Sequence, residues 1–148
     1  MTNSAYLELE TRHRRVALLG ETSAILHWDT AAIMPDGAAS ARAEQLAEMQ
    51  AVIHGLKTAS EVGDLIGEAE AQAGNLDDWQ RANLSEMSRQ WIKARAVPED
   101  LVVALSRACS ACETAWRSAR PAGRRAHGLG ESQRAAGGGR ARLWLWAG

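Results

Sequence analysis

Apolar side chains recur at spacings of three and four along most of the chain, which is the period of an amphipathic α-helix. The first run predicts a helix from Ser4 to Ala32, and the turn residues Pro35 and Gly37 follow it. The stripe of this helix consists of Leu7, Val16, Leu19, Leu26 and Ile33, widened by Leu18, Ile25 and Trp28.

A second helix is predicted from Ala38 to Leu56 by the same period. Its stripe consists of Leu46, Met49, Ile53 and Leu56. Thr58 and Glu61 then form the S/T-x-x-E pattern of a capping box, which predicts the start of a short third helix. Gly74 is a natural stop for this helix. Its apolar face consists of Val62, Leu65, Ile66 and Ala69.

A fourth helix is predicted to begin at Asn75, with Asp77 and Asp78 near its positive N-terminal end. A fifth begins with Pro98 at its first position and is ended by Pro121. The apolar line of the fourth helix consists of Leu76, Trp79, Asn83, Met87 and Trp91. That of the fifth helix consists of Leu101, Leu105, Ala108, Cys109, Cys112 and Trp116.

Composition also favours helices over strands. Alanine is abundant, valine and isoleucine are few and phenylalanine is absent, whereas strands prefer β-branched and aromatic residues. A chain of 148 residues is long enough for one domain of ordinary size. We therefore predict an all-α fold of about five amphipathic helices.

Charge and hydropathy argue against two classes of partner. The formal net charge is −1, which gives no electrostatic case for nucleic acid or for an anionic membrane. No apolar run approaches the roughly 20 residues that span a bilayer. The polar N-terminus also lacks the basic-then-apolar pattern of a signal peptide. We therefore expect a cytoplasmic protein with neither a membrane nor a nucleic acid as partner.

Residues 121–148 differ in character from the rest of the chain. They hold seven of the 13 glycines, and five arginines against one acid, so their net charge is +4. No helical apolar stripe occurs there before Leu143-Trp144-Leu145-Trp146. We interpret residues 1–120 as the helical region and residues 121–148 as a disordered Gly/Arg-rich tail outside it.

Several short motifs of the helical region occur in the order known from one peptidase family. They are Leu18-Leu19-Gly20, Ile25-Leu26-His27-Trp28-Asp29-Thr30, Met34-Pro35-Asp36-Gly37, Arg42-Ala43-Glu44-Gln45-Leu46, Asp78-Trp79, Val97-Pro98-Glu99-Asp100-Leu101 and Ala115-Trp116-Arg117. With this series, residues 6–120 resemble the N-terminal part of the M32 metallocarboxypeptidases. The likeness stops at about Arg120, so one interpretation of the tail is a shift of reading frame near Pro121.

The resemblance implies an all-helical enzyme that removes C-terminal residues from peptides with a bound divalent metal, usually zinc. It also implies a cytoplasmic homodimer that is several hundred residues longer than this chain. The metal site of the family is a His-Glu-x-x-His helix with a later glutamate. That motif places two imidazoles on one helix face and a glutamate where it can activate the metal-bound water.

The histidines of this chain do not form that motif. They are His13, His27, His54 and His127; none is followed by glutamate, and none has another histidine four residues later. We therefore predict no catalytic, cofactor-binding or metal-binding residues in this chain, and no metal of its own. A peptide substrate is expected only for the full-length enzyme.

Two pairs of residues admit both a functional and a structural interpretation. Trp28-Asp29 could contribute to a substrate cleft, but we favour a core position for Trp28 and hydrogen bonds from Asp29 that fix the Met-Pro turn. Cys109-x-x-Cys112 could be half of a redox or metal site. Because a βαβ context and a second cysteine pair are both missing, we favour two thiols on a buried helix face.

Lone histidines and a basic cluster are the remaining candidates. His27 and His54 have no partner at helical spacing, so surface or hydrogen-bonded histidines are favoured over metal ligands. Arg12, Arg14 and Arg15 could contact nucleic acid, but a solvated helix face is favoured because glutamates lie within reach of helical ion pairs. These glutamates are Glu8, Glu10 and Glu21.

The sequence thus predicts part of a metal-dependent carboxypeptidase that is inactive as this chain. The alternative is a small non-catalytic helical interaction or dimerisation module. Helices shaped to pack on a larger body would leave apolar faces uncovered and favour self-association, whereas a module would bury these faces within itself.

Overall fold

All five predicted helices are present in the structure, a computed structural model that describes residues 4–119. The helices are α1 (Ser4–Ala32), α2 (Ala39–Thr58), α3 (Ser60–Ala71), α4 (Asp78–Arg95) and α5 (Glu99–Ala119), and no strand occurs within residues 4–119. The predicted all-α fold is confirmed. The predicted tail, residues 121–148, lies outside the described residues.

The described residues divide within α5. One compact unit ends at Cys112, and residues 113–119 belong to a second unit. In the first unit, α1 packs on α2 and α3, and α4 packs on α2 and α3. Between residues 4 and 119, no helix is long and apolar enough to cross a membrane.

The main core joins the first turns of α1 to α3 and α4. Its centre is Leu9, whose side chain is completely buried. The core cluster consists of Ala5, Tyr6, Leu9, Val62, Ile66, Ala69, Leu76, Leu84 and Met87. Leu65 and Trp91 are partly buried against it. The predicted apolar face of the third helix is therefore confirmed as a core face.

A second packed region joins α1 to α2. Gln50 lies within hydrogen-bond distance of Ser23, whereas the earlier residue Arg42 bonds the later residue Asp29, so the two helices run antiparallel. Short helix connections commonly produce this arrangement, and here Asp36–Ala38 forms a single 3₁₀ turn. Buried apolar side chains of this region are Met34, Leu46, Ala47 and Ile53.

The capping box predicted for the third helix is absent. The Thr58 hydroxyl donates to the carbonyl of His54 at 2.9 Å, and Thr58 is the last residue of α2. Ala59 occupies the N-cap position of α3, where no side chain caps the helix. The prediction was wrong because a threonine inside a helix can bond its own preceding turn instead of starting the next helix.

Two other helix starts lie slightly beyond their predicted positions. Asn75 closes a short 3₁₀ turn, and α4 is capped by Asp77, which accepts from the Gln80 N–H at 2.8 Å while the Gln80 side chain accepts from the Asp77 N–H at 3.0 Å. This reciprocal pair is a capping box. Pro98 precedes α5, and its carbonyl accepts from the Val102 N–H at 3.3 Å.

Many positions of the predicted apolar stripes are exposed. They are Leu7, Leu18, Ile25, Trp28, Ile33, Trp79, Asn83, Leu101, Leu105, Ala108, Cys109, Cys112 and Trp116. On α1 the buried side carries Leu9 and Ser23, whereas Leu18 and Ile25, two helical turns apart, lie together on the opposite side. The period of a helix identifies its apolar positions, but it does not say whether a partner covers them.

Candidate functional site

The turn between α1 and α2 is held by one arginine. Arg42 donates from Nη1 to the carbonyl of Leu26 at 3.0 Å and to the carboxylate of Asp29, and from Nε to the side chain of Gln45 at 2.9 Å. The side chains of Arg42 and Asp29 are 17% and 25% exposed, so this ion pair is largely removed from water. Because it is shielded, it holds the turn more firmly than a surface pair would.

The predicted roles of Trp28 and Asp29 have different outcomes. Trp28 is 63% exposed, so its predicted core position is wrong. Asp29 fixes the turn in two ways: its carboxylate pairs with Arg42, and its backbone carbonyl accepts from the Met34 N–H at 2.9 Å. Trp28, Ile25 and Ile33 are all exposed near the end of α1.

An open groove of about 620 Å³ runs between α1 and α2. On α1 it is lined by residues that recur every seven positions, His13, Gly20 and His27, which places them along one side of the helix. The facing side of α2 contributes Gln50, Ile53 and Lys57, and α4 contributes Gln90. Small and apolar lining residues complete it: Val16, Ala17, Ser23 and Ala24.

The polar side chains that line the groove are two histidines, a serine, two glutamines and a lysine. The His13 ring nitrogen Nδ1 lies 3.0 Å from the carbonyl of Leu9, and because a carbonyl only accepts, Nδ1 carries the proton. The amide of Gln50 lies 3.4 Å from the Ser23 hydroxyl, and the amide of Gln90 donates to Glu86 at 2.9 Å. None of the lining residues is an aspartate or glutamate.

Metal ligands do not gather within the described residues. Between residues 4 and 119, no three side chains of His, Cys, Asp or Glu lie close enough together to hold a metal ion. These residues therefore do not fit the divalent metal that the family resemblance implies, and no chemical step is assigned to them. That the whole chain lacks a metal stays a prediction.

The two cysteines are free and exposed, so their predicted burial is wrong. Cys109 and Cys112 lie one turn apart on α5, whose inner side instead buries Ser110. The apolar line predicted for this helix is an outward face in the described part of the chain. The prediction failed because an apolar line at helical spacing does not say whether another part of the same chain covers it.

Ion pairs account for part of the charged surface. Arg12 bonds Glu8 at 2.9 Å, which confirms one of the helical ion pairs predicted for the basic cluster. Arg107 of α5 bonds Glu44 of α2 through two nitrogens, at 3.0 and 2.8 Å. These hydrogen bonds hold the pKa of Glu44 below its ordinary value. This exposed pair is one of the links between α5 and the helices before it.

A second carboxylate is more strongly perturbed. Glu86 accepts from Arg89 at 2.7 and 2.5 Å and from Gln90 at 2.9 Å. The hydrogen bonds from Arg89, and then that from Gln90, lower the pKa of Glu86 to about 2 from an ordinary value of 4.5. Glu86 therefore stays ionised near neutral pH. It also accepts a hydrogen bond from the side-chain amide of Gln90, which lines the groove.

A family model described as "Carboxypeptidase Taq (M32) metallopeptidase" matches residues 8–126. The chain belongs to the M32 metallopeptidase family. The matched range includes the turn motif with Asp29 and Arg42, and nearly the whole described helical region. The predicted family resemblance is confirmed, whereas the predicted boundary at residue 120 stays a prediction.

Two relatives of the chain show how much of a longer protein it corresponds to. The chain is 31% identical over 120 residues to thermostable carboxypeptidase 1 of Thermus thermophilus, covering 80% of this chain and 24% of that protein. It is 25% identical over 118 residues to thermostable carboxypeptidase 1 of Pyrococcus furiosus, covering 80% of this chain and 23% of that protein. The chain thus spans about a quarter of the length of these two relatives. No solved structure gave a significant match.

Sequence reasoning missed the groove and the Arg42 contacts. The recurrence of His13, Gly20 and His27 at intervals of seven was visible in the sequence and could have indicated a common helix side. The partner side of the groove could not be read in the same way, because the register between α1 and α2 depends on the length of the turn.

Proposed function

We propose that this chain forms the N-terminal helical part of an M32 metallocarboxypeptidase that releases C-terminal amino acids from peptides in the cytoplasm. The observation that carries the proposal is a family match over residues 8–126 that corresponds to only a quarter of each relative. The order of the sequence motifs supports the N-terminal position. As this chain, the protein is proposed to be inactive.

Inactivity follows from the chemistry that a metallopeptidase needs. Such an enzyme requires a metal held by several ligands and a general base beside the metal-bound water. The sequence contains no His-Glu-x-x-His motif, and the described residues bring no three ligating side chains together. We propose that the ligands, the base and zinc or another divalent metal belong to the remaining three quarters of the enzyme.

Exposed apolar side chains support a larger body as the partner. Ile25 and Trp28 on α1, and Leu101 and Leu105 on α5, are each more than half exposed. Apolar side chains clustered on outward helix faces are typical of surfaces that another protein part covers. Because three quarters of each relative lie outside the matched part, we propose that the rest of the peptidase covers these faces.

A direct assay tests the inactivity. The purified 148-residue chain, supplied with zinc or cobalt, is expected to release no C-terminal amino acid from blocked peptides above a protein-free blank. The Thermus carboxypeptidase assayed with the same peptides and metals serves as the positive control. Metal-dependent release that a chelator abolishes would overturn the proposal that the catalytic groups lie elsewhere.

The alternative is a non-catalytic module that covers these faces by pairing with a second copy of itself. The peptidase proposal predicts concentration-dependent, open-ended association of the isolated chain, because the faces lie on different helices. The module predicts a single dimer that unfolds cooperatively. Light scattering over a range of concentrations separates the two: a uniform dimer would favour the module.

A further inference from the structure

The turn between α1 and α2 contains Asp36-Gly37, a pair of residues with reactive chemistry of its own. The chain holds six aspartates, and Asp36 is the one that precedes a glycine. Because glycine has no Cβ atom, its backbone nitrogen is poorly shielded and its backbone rotates freely. The nitrogen of Gly37 can therefore approach the carboxyl carbon of the preceding side chain. The other aspartates are Asp29, Asp64, Asp77, Asp78 and Asp100.

The structure leaves both reacting groups accessible. Asp36 and Gly37 are exposed, and a Cβ atom at Gly37 would meet nothing within 4 Å, so no neighbouring group blocks the approach. Between residues 4 and 119, the carboxylate of Asp36 takes part in no hydrogen bond or ion pair. By contrast, the carboxylate of Asp29 at the other end of the same turn is held by Arg42. Of these two aspartates, Asp36 is the one whose side chain is free to react.

Two backbone hydrogen bonds close the turn. The Ala38 N–H donates to the carbonyl of Pro35 at 3.0 Å. The Ala39 N–H donates to the carbonyl of Asp36, and neither bond uses the nitrogen of Gly37. For the two reacting groups to meet, the Asp36 backbone has to leave its 3₁₀ conformation, which opens the second bond. An exposed turn opens locally at a small fraction of the free energy of global unfolding, so the helices stay folded meanwhile.

We propose that Asp36 is a site of spontaneous conversion to isoaspartate in the folded chain. The Gly37 nitrogen attacks the protonated side-chain carboxyl of Asp36 and forms an N–C bond. The nitrogen gives up its proton, a carboxyl C–O bond breaks, one water leaves, and a succinimide ring remains. Water then opens the ring at either carbonyl, which yields isoaspartate or restores aspartate. No oxidant, reductant or cofactor takes part, and the inference does not rest on the proposed peptidase function.

The product changes the turn in a defined way. In isoaspartate the main chain runs through the former side chain, so it gains one carbon atom between α1 and α2. The oxygen that accepted from the Ala39 N–H then belongs to a free carboxylate at a new position. Because α2 begins at Ala39, its first turn loses a hydrogen bond beside the Arg42–Asp29 ion pair. The isomerised chain, separated by ion-exchange chromatography, is therefore expected to melt at a lower temperature than the fresh chain.

Mass spectrometry of the aged chain tests the proposal. The 148-residue chain is incubated at mildly acidic pH, where its folded state is checked by circular dichroism, and is then digested with trypsin. Cleavage after Arg15 and Arg42 gives one peptide that contains both Asp36 and Asp29, so Asp29 is an internal control. Fragmentation by electron transfer is expected to locate isoaspartate at Asp36 and none at Asp29. Equal conversion at the two positions, or none at Asp36, would overturn the proposal.

A synthetic peptide of residues 33–42 shows whether the fold protects the turn. Because the turn opens locally, the folded chain is expected to form isoaspartate at most about tenfold more slowly than this unstructured peptide. A much larger protection would mean that only global unfolding exposes the reacting groups, and the proposal would fail.

Three variants separate the reaction at this pair from general ageing. Gly37→Ala is expected to slow isomerisation roughly tenfold, because a Cβ atom shields the nitrogen, while its Cβ meets no neighbour in the fold. Gly67→Ala, at another unobstructed glycine, should leave the rate unchanged. Asp36→Asn reaches the same succinimide with loss of ammonia, so it should yield both aspartate and isoaspartate at position 36. An unchanged rate in Gly37→Ala, or no isoaspartate from Asp36→Asn, would refute the site.

Discussion

At the scale of single residues, Gly63 shows why a glycine occurs inside α3. A Cβ atom there would lie 2.5 Å from Cζ2 and 2.9 Å from Cη2 of the Trp91 ring, closer than real atoms approach. The Trp91 ring packs against the core, with the guanidinium of Arg95 4.8 Å from its centre. The glycine therefore allows α4 to place a large ring directly against the backbone of α3.

Replacing this glycine should cost stability. Gly63→Ala is expected to destabilise the fold by about 1–3 kcal/mol, because the overpacked ring must shift, even though alanine favours the helix by up to about 1 kcal/mol. Gly67→Ala in the same helix is the matched control, since its Cβ would meet nothing within 4 Å. Urea unfolding followed by circular dichroism measures both. If the two variants behave alike, the close approach of Trp91 is not present in solution.

The charge of Glu86 makes stability depend on pH. Its pKa is about 2 in the folded chain against an ordinary 4.5, so the ionised form is favoured by folding. Its contribution is fully present above the ordinary value and is lost as the pH falls from about 4.5 towards 2. Glu86→Gln should therefore flatten the fall of the melting temperature over this range.

The control for this effect is an exposed glutamate of α1. Glu10 makes no ion pair with the residues between 4 and 119, so Glu10→Gln should leave the acid slope of the melting temperature close to that of the parent. The slope is read from thermal melts at several pH values between 2 and 6. A parent-like slope in Glu86→Gln would contradict the assigned cause.

At the scale of helices, the sequence predicted the presence of each helix better than the residues at which it begins and ends. The period of three and four placed all five helices, because each carries an apolar stripe of its own. The predicted end of α2 was wrong because the Thr58 hydroxyl donates to the carbonyl of His54 instead of capping α3. The capping box that the structure contains, Asp77 with Gln80, was not predicted, because local pattern alone gives no rule for choosing which candidates form.

The connection between α1 and α2 depends on Arg42. In the sequence this residue was noted only as part of a family motif, and no structural role was predicted for it. Removing this side chain leaves the carboxylate of Asp29, 25% exposed, without its partner. Arg42→Met is therefore expected to destabilise the chain by about 1–3 kcal/mol, between the values for surface and for buried pairs. The measurement is the free energy of unfolding in urea.

A double-mutant cycle with Asp29→Asn shows whether the loss belongs to this ion pair. We expect the double variant to be less destabilised than the sum of the two single variants, because neither then leaves an unpaired charge. Arg42→Lys keeps the charge but loses the second nitrogen, Nε, that donates to Gln45, so it should recover only part of the loss. Strict additivity in the cycle would contradict a direct contact.

At the scale of the whole molecule, α5 differs from the other helices. Its apolar line, which the sequence predicted as a core face, carries Leu101 and Leu105 at 55% and 62% exposure. No sequence pattern distinguishes a face buried within the chain from one buried by another part of a longer protein, because both need the same apolar stripe. The rest of the peptidase that we propose as the partner would account for this face.

If the α5 face is uncovered in this chain, its leucines should contribute little to folding. Leu105→Ala is expected to change the free energy of unfolding by less than about 0.5 kcal/mol, as for other surface positions. Leu46→Ala, at a completely buried position of α2, should cost about 2–5 kcal/mol and is the matched comparison. Leu105→Lys should in addition reduce self-association and the binding of a hydrophobic dye, because it places a charge on the face that would otherwise meet a partner. A loss in Leu105→Ala as large as that in Leu46→Ala would show that this face is already covered within the chain, and the case for a missing catalytic body would lose its physical basis.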